Sequence, residues 1–286
     1  LFRSASTQFM QVPMNLLDTK EKAAYTDTGV WGSKAIKEAK LFGKVEVVCT
    51  GKDTNYTVIP KDFAVPNDAK YFHITTNNTI YGSQWQKIPA TSNVMVADMS
   101  SDIFSRPAPY NTLSLIYAGA QKNMGAAGVN LVVVKKDLLG KISRKIPTIM
   151  NYQKHIEAGS LMNTPPVFAV YVSMLTLRWI IQEGGLDAMG LRNARKSSLL
   201  YDTIDSIPLF DAPVAKEDRS EMNAIFFLKD PSLEKSFLAL CKQEGMVGVK
   251  GYRTVGGIRV SMYNALPIES VQAFCDVAKA FAIANS

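Results

Sequence analysis

Asn93-Val94-Met95-Val96-Ala97-Asp98 is followed by Leu113-Ser114-Leu115-Ile116-Tyr117-Ala118-Gly119-Ala120-Gln121-Lys122. Each is a short apolar run that stops at or just before a charged side chain. Strands buried on both faces of a parallel sheet read this way, whereas a half-wet strand alternates. Taking 94–97 and 113–117 as strands and working outward, similar runs stand at 22–26, 45–49, 71–75 and 129–134. Longer helical patterns separate them, including an Ala- and Lys-rich helix at 33–42. The alternation predicts an α/β fold with a mostly parallel sheet. Pro165-Pro166 opens a long helix, where the missing proline N–H goes unmissed. Val167, Phe168, Tyr171, Val172, Met174, Leu175, Trp179 and Ile181 cover nearly all its sides, which predicts burial all round. Gly184-Gly185 interrupts it, and a more polar helix follows at about 186–204.

From about residue 190 the pattern changes. Strands are expected at 224–228, 246–249 and 258–262. Asp230 caps a helix with Pro231 at its first position, ending before Gly245. A last helix after Pro267 gathers Val271, Phe274, Ala278 and Phe281 on one face. The expected organisation is a large domain over 1–189 and a smaller α/β domain over 190–286.

Composition narrows the function classes. The 286 residues are 47% hydrophobic and 20% charged, which excludes a disordered chain. The longest mainly apolar stretch, 167–177, falls short of the ~20 residues of a spanning helix, so no membrane partner is expected. With 32 Lys+Arg against 25 Asp+Glu the net charge is +7, dispersed along the chain. That favours small anionic ligands over a nucleic acid. Cys49, Cys241 and Cys275 are odd in number and far apart, which fits a reducing, cytoplasmic setting. His73 and His155 lack partners at metal-ligand spacing, so no metal site is expected. The opening Leu1-Phe2-Arg3, without Met or a signal peptide's apolar core, reads as the interior of a longer chain or a cloning remnant.

Two residues carry the sharpest chemical suggestion. Asp98 and Lys122 would both stand at the carboxyl edge of a parallel sheet, where such folds bind ligands. A lysine in an apolar strand-end loop has a lowered pKa and can attack a carbonyl to form a Schiff base. A nearby carboxylate can pair with a protonated pyridine nitrogen, and together these are the minimal protein contribution to pyridoxal phosphate chemistry. Taken alone, either reads more simply as a strand-end charge that reaches water; their joint placement is what favours the chemistry. Trp31, between Gly29 and Gly32, is either a core anchor or a stacking partner for a planar ring. Ala5-Ser6-Thr7, ahead of the first helix, is either an ordinary cap or an anion cradle. Arg253 and Arg259 flank Gly256-Gly257 and are either solvated or a clamp for carboxylate and phosphate groups.

Longer blocks carry a resemblance. Val96-Ala97-Asp98-Met99-Ser100-Ser101, Ile103-Phe104-Ser105-Arg106-Pro107, Ile116-Tyr117-Ala118-Gly119-Ala120-Gln121-Lys122-Asn123, Asn163-Thr164-Pro165-Pro166, and Lys250-Gly251-Tyr252-Arg253-Thr254-Val255-Gly256-Gly257-Ile258-Arg259 closely resemble the phosphoserine aminotransferases. The resemblance covers essentially the whole chain. It implies the pyridoxal-phosphate-dependent transferase fold type I, class V, a homodimer with shared active sites, and ping-pong transfer between glutamate and 3-phosphohydroxypyruvate. It also implies roles: Lys122 as the lysine that bonds the cofactor and shuttles a proton, Asp98 at the pyridine nitrogen, Trp31 stacked on the ring, and Thr79 at its phenolic oxygen. Ala5, Ser6 and Gln121 would bind the cofactor phosphate, with Asn163 and Thr164 reaching it from the partner subunit. Arg259 matches the arginine for the substrate α-carboxylate, and Arg253 one for its phosphate or side-chain carboxylate.

Family members also carry several dozen further N-terminal residues, including a His-Arg pair that contacts substrate across the dimer, so the chain reads as N-terminally truncated. Arg3-Ser4 stands where the family has a glycine-rich turn, and Tyr252 where it has a histidine. The alternatives are another aminotransferase of this fold, such as an alanine–glyoxylate type, or a truncated form that binds cofactor with little turnover.

Overall fold

The computed structural model of the chain describes residues 4–285; Arg3 lies outside them. Its larger sheet has six strands in the order β2-β1-β3-β4-β5-β6: β1 (Lys22–Asp27), β2 (Lys44–Thr50), β3 (Ala69–Thr75), β4 (Met95–Asp98), β5 (Leu115–Gly119) and β6 (Asn130–Val134). The first five run parallel and β6 pairs antiparallel with β5. Burial follows position: β4 and β5 are buried throughout, whereas β2 and β6 at the edges are half-wet. That is why the central strands read as unbroken apolar runs.

Helices α1 (Ala5–Leu16) and α2 (Val30–Ala39) cover one face. Phe9, Val12, Leu16, Ala35 and Ile36 pack there against Tyr25, Val96, Leu115 and Tyr117. The other face is closed by the loops after β2, β3 and β4, through Phe63, Ile88, Met99 and Ile103. Because β1 lies between β2 and β3, the chain leaves β1 in one direction and returns on its other side, which opens a crevice at the strands' carboxyl ends. Beyond the sheet come α3 (Tyr152–Glu157), α4 (Val167–Gln182) and α5 (Gly185–Ser206).

A second, antiparallel sheet follows in the order β7-β8-β9: β7 (Phe210–Asp211), β8 (Asn223–Leu228) and β9 (Ile258–Ser261). With α6 (Glu234–Gln243), α7 (Ile268–Ala284) and the far end of α5, it encloses its own core around Leu200, Ile204, Phe226 and Phe237. The expected face of the last helix is buried at Val271, Phe274, Ala278 and Phe281. No helix among the described residues is long and apolar enough to cross a membrane.

Three expectations need correction. α4 is not buried all round: Val167, Phe168 and Ile181 are 70%, 74% and 73% exposed, and only Ala169, Ser173 and Ile180 are buried. An apolar surface that this chain leaves open looks, in sequence, the same as one that it fills. Residues 246–249 form no strand; Gly245 and Gly248 both take φ of +78°, a left-handed turn that breaks an extended ladder, and only a Lys250–Ile258 bridge remains. Ala5-Ser6-Thr7 do not precede α1 but form its first turn, capped by the Ser4 hydroxyl, which accepts from the Ser6 N–H at 3.1 Å.

Phe237, fully buried, touches Phe210, Phe274 and Phe281 with ring centroids 5.5, 6.0 and 5.0 Å away. Phe237→Ala is expected to cost about 3–5 kcal/mol of stability in urea unfolding, the price of a large cavity in a small core.

Candidate active site

Asp98 is the last residue of β4, and Lys122 stands three residues beyond β5, in a turn closed by Met124 and Gly125 N–H bonds to the Ala120 carbonyl. Parallel pairing brings both to the sheet's carboxyl edge. Asp98 is buried, and burial, the largest influence, pushes its carboxyl upward from the usual range. Bonds from Ser100, whose backbone N–H donates to Oδ1 at 2.9 Å, the charge of Lys122 and the Tyr117 hydroxyl act against that rise. Burial lowers the Lys122 amine, with the charges of Asp98 and Asp102 opposing and that of Arg259 assisting. Carboxyl and amine thus feel each other, but no salt bridge joins them among the described residues.

Trp31, in the first turn of α2, lies beside this pair. Its ring centroid is 5.9 Å from Lys122 Nζ, and Nε1 donates to Thr79 Oγ1 at 3.1 Å. Lys34 reaches the ring at 4.6 Å. A Cβ at Gly29 would fall 2.6 Å from Asn78 Oδ1, so only glycine lets the chain enter α2 this close to the loop after β3. Gln121 and Ala5 meet over Gly119, where an added Cβ would lie 2.8 Å from Gln121 Oε1 and 3.3 Å from Ala5 Cβ. The start of α1, whose Ser6 N–H is taken by the Ser4 hydroxyl, is therefore next to Gln121, and its helix dipole suits an anion.

The remaining predicted residues fall in two places. Arg259, on β9, is half-buried with Nε unpaired, and its charge reaches Lys122. Arg253 is exposed and Tyr252 half-buried in a turn closed by Val255 and Gly256 N–H bonds to the Tyr252 carbonyl. Asn163 and Thr164 lie exposed ahead of α4, Asn163 on the rim of a groove of about 680 Å³ that Gln8, Gly128 and Tyr152 also line.

Comparison with known proteins decides the family. The description Aminotransferase class-V matches residues 1–274. A phosphoserine aminotransferase of Flavobacterium johnsoniae is 55% identical over 276 residues, covering 96% of this chain and 78% of the relative. The chain belongs to the class-V aminotransferase family, among the phosphoserine aminotransferases. The solved phosphoserine aminotransferase of Bacillus circulans subsp. alkalophilus superposes with a TM-score of 0.96 at 42% identity, covering 99% of this chain and 80% of that one. That from Trichomonas vaginalis, described as bound to PLP, gives 0.91 at 34%, covering 97% and 80%. The fold is that of the pyridoxal-phosphate-dependent class-V aminotransferases, and the family's cofactor is pyridoxal phosphate.

The residues present fit that cofactor. A half-buried lysine with an indole beside it and a buried carboxyl stand near one another but unpaired, with a helix N-terminus and an amide at one end for a phosphate. Sequence reading missed three contributors. Asp102 accepts from Thr76 Oγ1 and from Gln84 Nε2 at 3.1 Å, and burial raises it to about 6. Tyr117 and His73 sit behind Asp98, joined by a hydrogen bond of 2.9 Å. Their signal was available in the strand period: Tyr117 is in register with Asp98, and His73 stands two residues before Thr75, the Asp98 partner on β3.

Burial drives His73 down to about 3 from its ordinary 6.5. A depressed pKa contributes stability above about pH 6.5, and that contribution drains away as pH falls toward about 3. The full effect is on the order of 5 kcal/mol. Asp98 and Asp102, raised in the fold, act with the opposite sign. His73→Gln is therefore expected to flatten the acid-side loss of stability relative to the parent, read from denaturant midpoints between pH 7 and 4.

Proposed function

We propose that this chain transfers an amino group between glutamate and 3-phosphohydroxypyruvate, interconverting these with 2-oxoglutarate and O-phosphoserine in serine biosynthesis. The placement of Asp98, Lys122 and Trp31 at one strand edge, in a chain 55% identical to a phosphoserine aminotransferase, carries the reading. When bound, pyridoxal phosphate supplies an aldehyde that takes up the amino group and a ring that draws electrons from the substrate α-carbon.

Each residue then has a task. Lys122 holds the cofactor covalently, and its lowered pKa favours the neutral, nucleophilic amine. Once displaced, Nζ takes the proton from the substrate α-carbon and returns it on the other side of the exchange. Asp98 keeps a proton on the ring nitrogen. Trp31 covers a ring face and excludes water, and Thr79 meets the phenolic oxygen. Ala5, Ser6 and Gln121 hold the cofactor phosphate at the start of α1, where N–H groups and the helix dipole favour an anion. Arg259 grips the substrate α-carboxylate, and Arg253 with Tyr252 its phosphate or side-chain carboxylate. Tyr252 still offers a hydrogen bond where relatives have histidine.

The same reading makes the protein a homodimer, with Asn163 and Thr164 reaching the cofactor phosphate of the second copy. Support comes from α4, which opens just beyond Asn163-Thr164-Pro165-Pro166 with Val167 and Phe168 exposed and leaves Ile181 open near its far end. Residues 1–189 act as the cofactor-binding domain and 190–286 as the smaller one, with α5 running unbroken across the boundary. A cytoplasmic setting suits a biosynthetic enzyme whose three cysteines are free thiols.

Lys122→Ala is expected to abolish the borohydride-stable cofactor adduct and to cut turnover of phosphoserine with 2-oxoglutarate by about 10⁴-fold. Asp98→Asn should keep the adduct and lose about 10²–10³-fold in turnover. An adduct surviving in Lys122→Ala, or near-parental turnover in Asp98→Asn, rejects the assignment. Phe168→Asp should drive the protein toward monomer in sedimentation velocity, because a charge buried in an apolar interface lacks a partner.

A further inference from the structure

The arginine assigned to the substrate carboxylate has no partner that would hold it. Among the described residues no ion pair reaches the Arg259 guanidinium, and its buried Nε has no hydrogen-bond partner. Its place is therefore set by the strand that carries it. β9 pairs with β8 so that Arg259 stands opposite Ile225 and Ser261 opposite Asn223. Period-two alternation puts these four on one face of the strand pair. The loop after β3 presses on the same stretch of β8. A Cβ at Gly82, where φ is +80°, would lie 2.8 Å from Ile225 Cγ1 and 3.0 Å from the Asn223 carbonyl oxygen.

Side chains carry that contact onward, and backbone groups settle the direction of each bond. Ser220 Oγ accepts from the Met222 and Asn223 N–H groups at 3.0 and 2.9 Å, so its own proton goes to Asn77 Oδ1. The other end of that amide donates, to Ser101 Oγ at 2.8 Å and to Asn223 Oδ1 at 2.9 Å. Ser101 in turn donates to the Asn77 carbonyl at 3.0 Å. Asn223 Nδ2 then serves Ser261 Oγ at 3.1 Å and the Tyr263 hydroxyl at 3.3 Å. Asn77, Ser101, Ser220 and Asn223 are all buried, and both amides have every N–H in use.

Asn77 stands two residues before Thr79, which holds the Trp31 indole. The loop between them is rigid, with the Asn78 N–H bonded to the Ser83 carbonyl and the Gly82 N–H to that of Asn78. We propose that Asn77 and Asn223 are positioning residues that hold Arg259 at a fixed reach from the Trp31–Thr79 wall, ready for a substrate carboxylate. The proposal rests on the reading of Arg259 as that carboxylate's partner. Neither asparagine touches the substrate. A strand free to drift would have to be ordered by each incoming ligand, and that ordering would weaken binding. Backbone contacts from Ser220 to Gly82 and between Ser83 and Arg219 tie the approach to β8 to the same loop, and Asn223 carries the tie across to β9.

Glutarate, a dicarboxylate with no amino or keto group to react, tests this by calorimetric titration of the cofactor-loaded protein. Pyridoxal phosphate affinity, urea midpoint and glutamate kinetics are measured beside it. Asn77→Ala and Asn223→Ala are each expected to weaken glutarate about tenfold and to raise KM for glutamate by a like factor, with kcat and cofactor affinity within about twofold of the parent. The double variant should lose no more than the larger single loss, because both break the same contact. Should the alanine variants fail to fold, Ser261→Ala with Tyr263→Phe removes only the last two acceptors and is expected to weaken glutarate about threefold. Parental glutarate affinity in all of these, with loss confined to the urea midpoint, overturns the proposal while Arg259→Gln still weakens glutarate. Equal losses of glutarate and cofactor affinity overturn it too, since general loosening produces them. Parental affinity in Arg259→Gln itself rejects the role given to Arg259, and the proposal with it.

Discussion

The structure depends on a buried carboxyl and a half-buried lysine standing near one another without pairing. Asp98 and Lys122 lie near enough for each charge to act on the other, yet no salt bridge closes between them. Burial makes both ionised forms costly, raising one group and lowering the other. A direct pair would relieve that tension and leave nothing for a ligand to do. Both stand at the carboxyl ends of neighbouring strands because β4 and β5 run parallel, and Trp31, fixed to Thr79, lies 5.9 Å from the Lys122 amine.

The second sheet is tied to this pair through amides. Asn123, directly after Lys122, accepts from the Asn264 N–H at 3.1 Å, and Asn264 accepts from Asn193 of α5 at 2.8 Å. Asn264 also donates to the Phe104 carbonyl, and Asn193 to that of Ser105, both on the loop after β4. Lys196, fully buried, caps the Met262 and Tyr263 carbonyls at 3.0 and 2.8 Å just beyond β9. Burial lowers its pKa to about 8. The strand bearing Arg259 is thereby held to the turn bearing Lys122, and the clamp needs groups from both sheets.

Much of this was legible along the chain because burial on two faces leaves a plain trace. All six strands of the larger sheet stand within two residues of the runs at 22–26, 45–49, 71–75, 94–97, 113–117 and 129–134. Asp98 and Lys122 were legible because a parallel sheet sends its strand ends to one edge. Burial of α4 was not, since Val167 and Phe168 look alike whether they face a core or open surface. The 246–249 segment misled because Val247, 87% exposed, carries strand propensity while its glycines turn the backbone. Tyr117 and His73 went unread because an aromatic inside an apolar strand is ordinary core, and only register shows which face it shares.

Buried polar atoms without partners are where local rules are broken. Among the described residues, five of the eleven such atoms (Thr26, Thr28 and Thr75 Oγ1, Asn78 Oδ1 and His73 Nδ1) lie in or just after β1 and β3, and Arg259 Nε lies on β9. Each such atom costs stability that the surrounding packing must offset. The packing is present: β3, β4 and β5 are almost wholly buried, and Gly29 and Gly32 bring α2 against them. Those at the carboxyl edge of the larger sheet, above a core with ample apolar contact, stand where a ligand can restore hydrogen bonds that the fold forgoes. The same logic explains why Asp98 sits so deep. Near the surface water would ionise it without help, but any ionic contact it made would weaken with the rising dielectric.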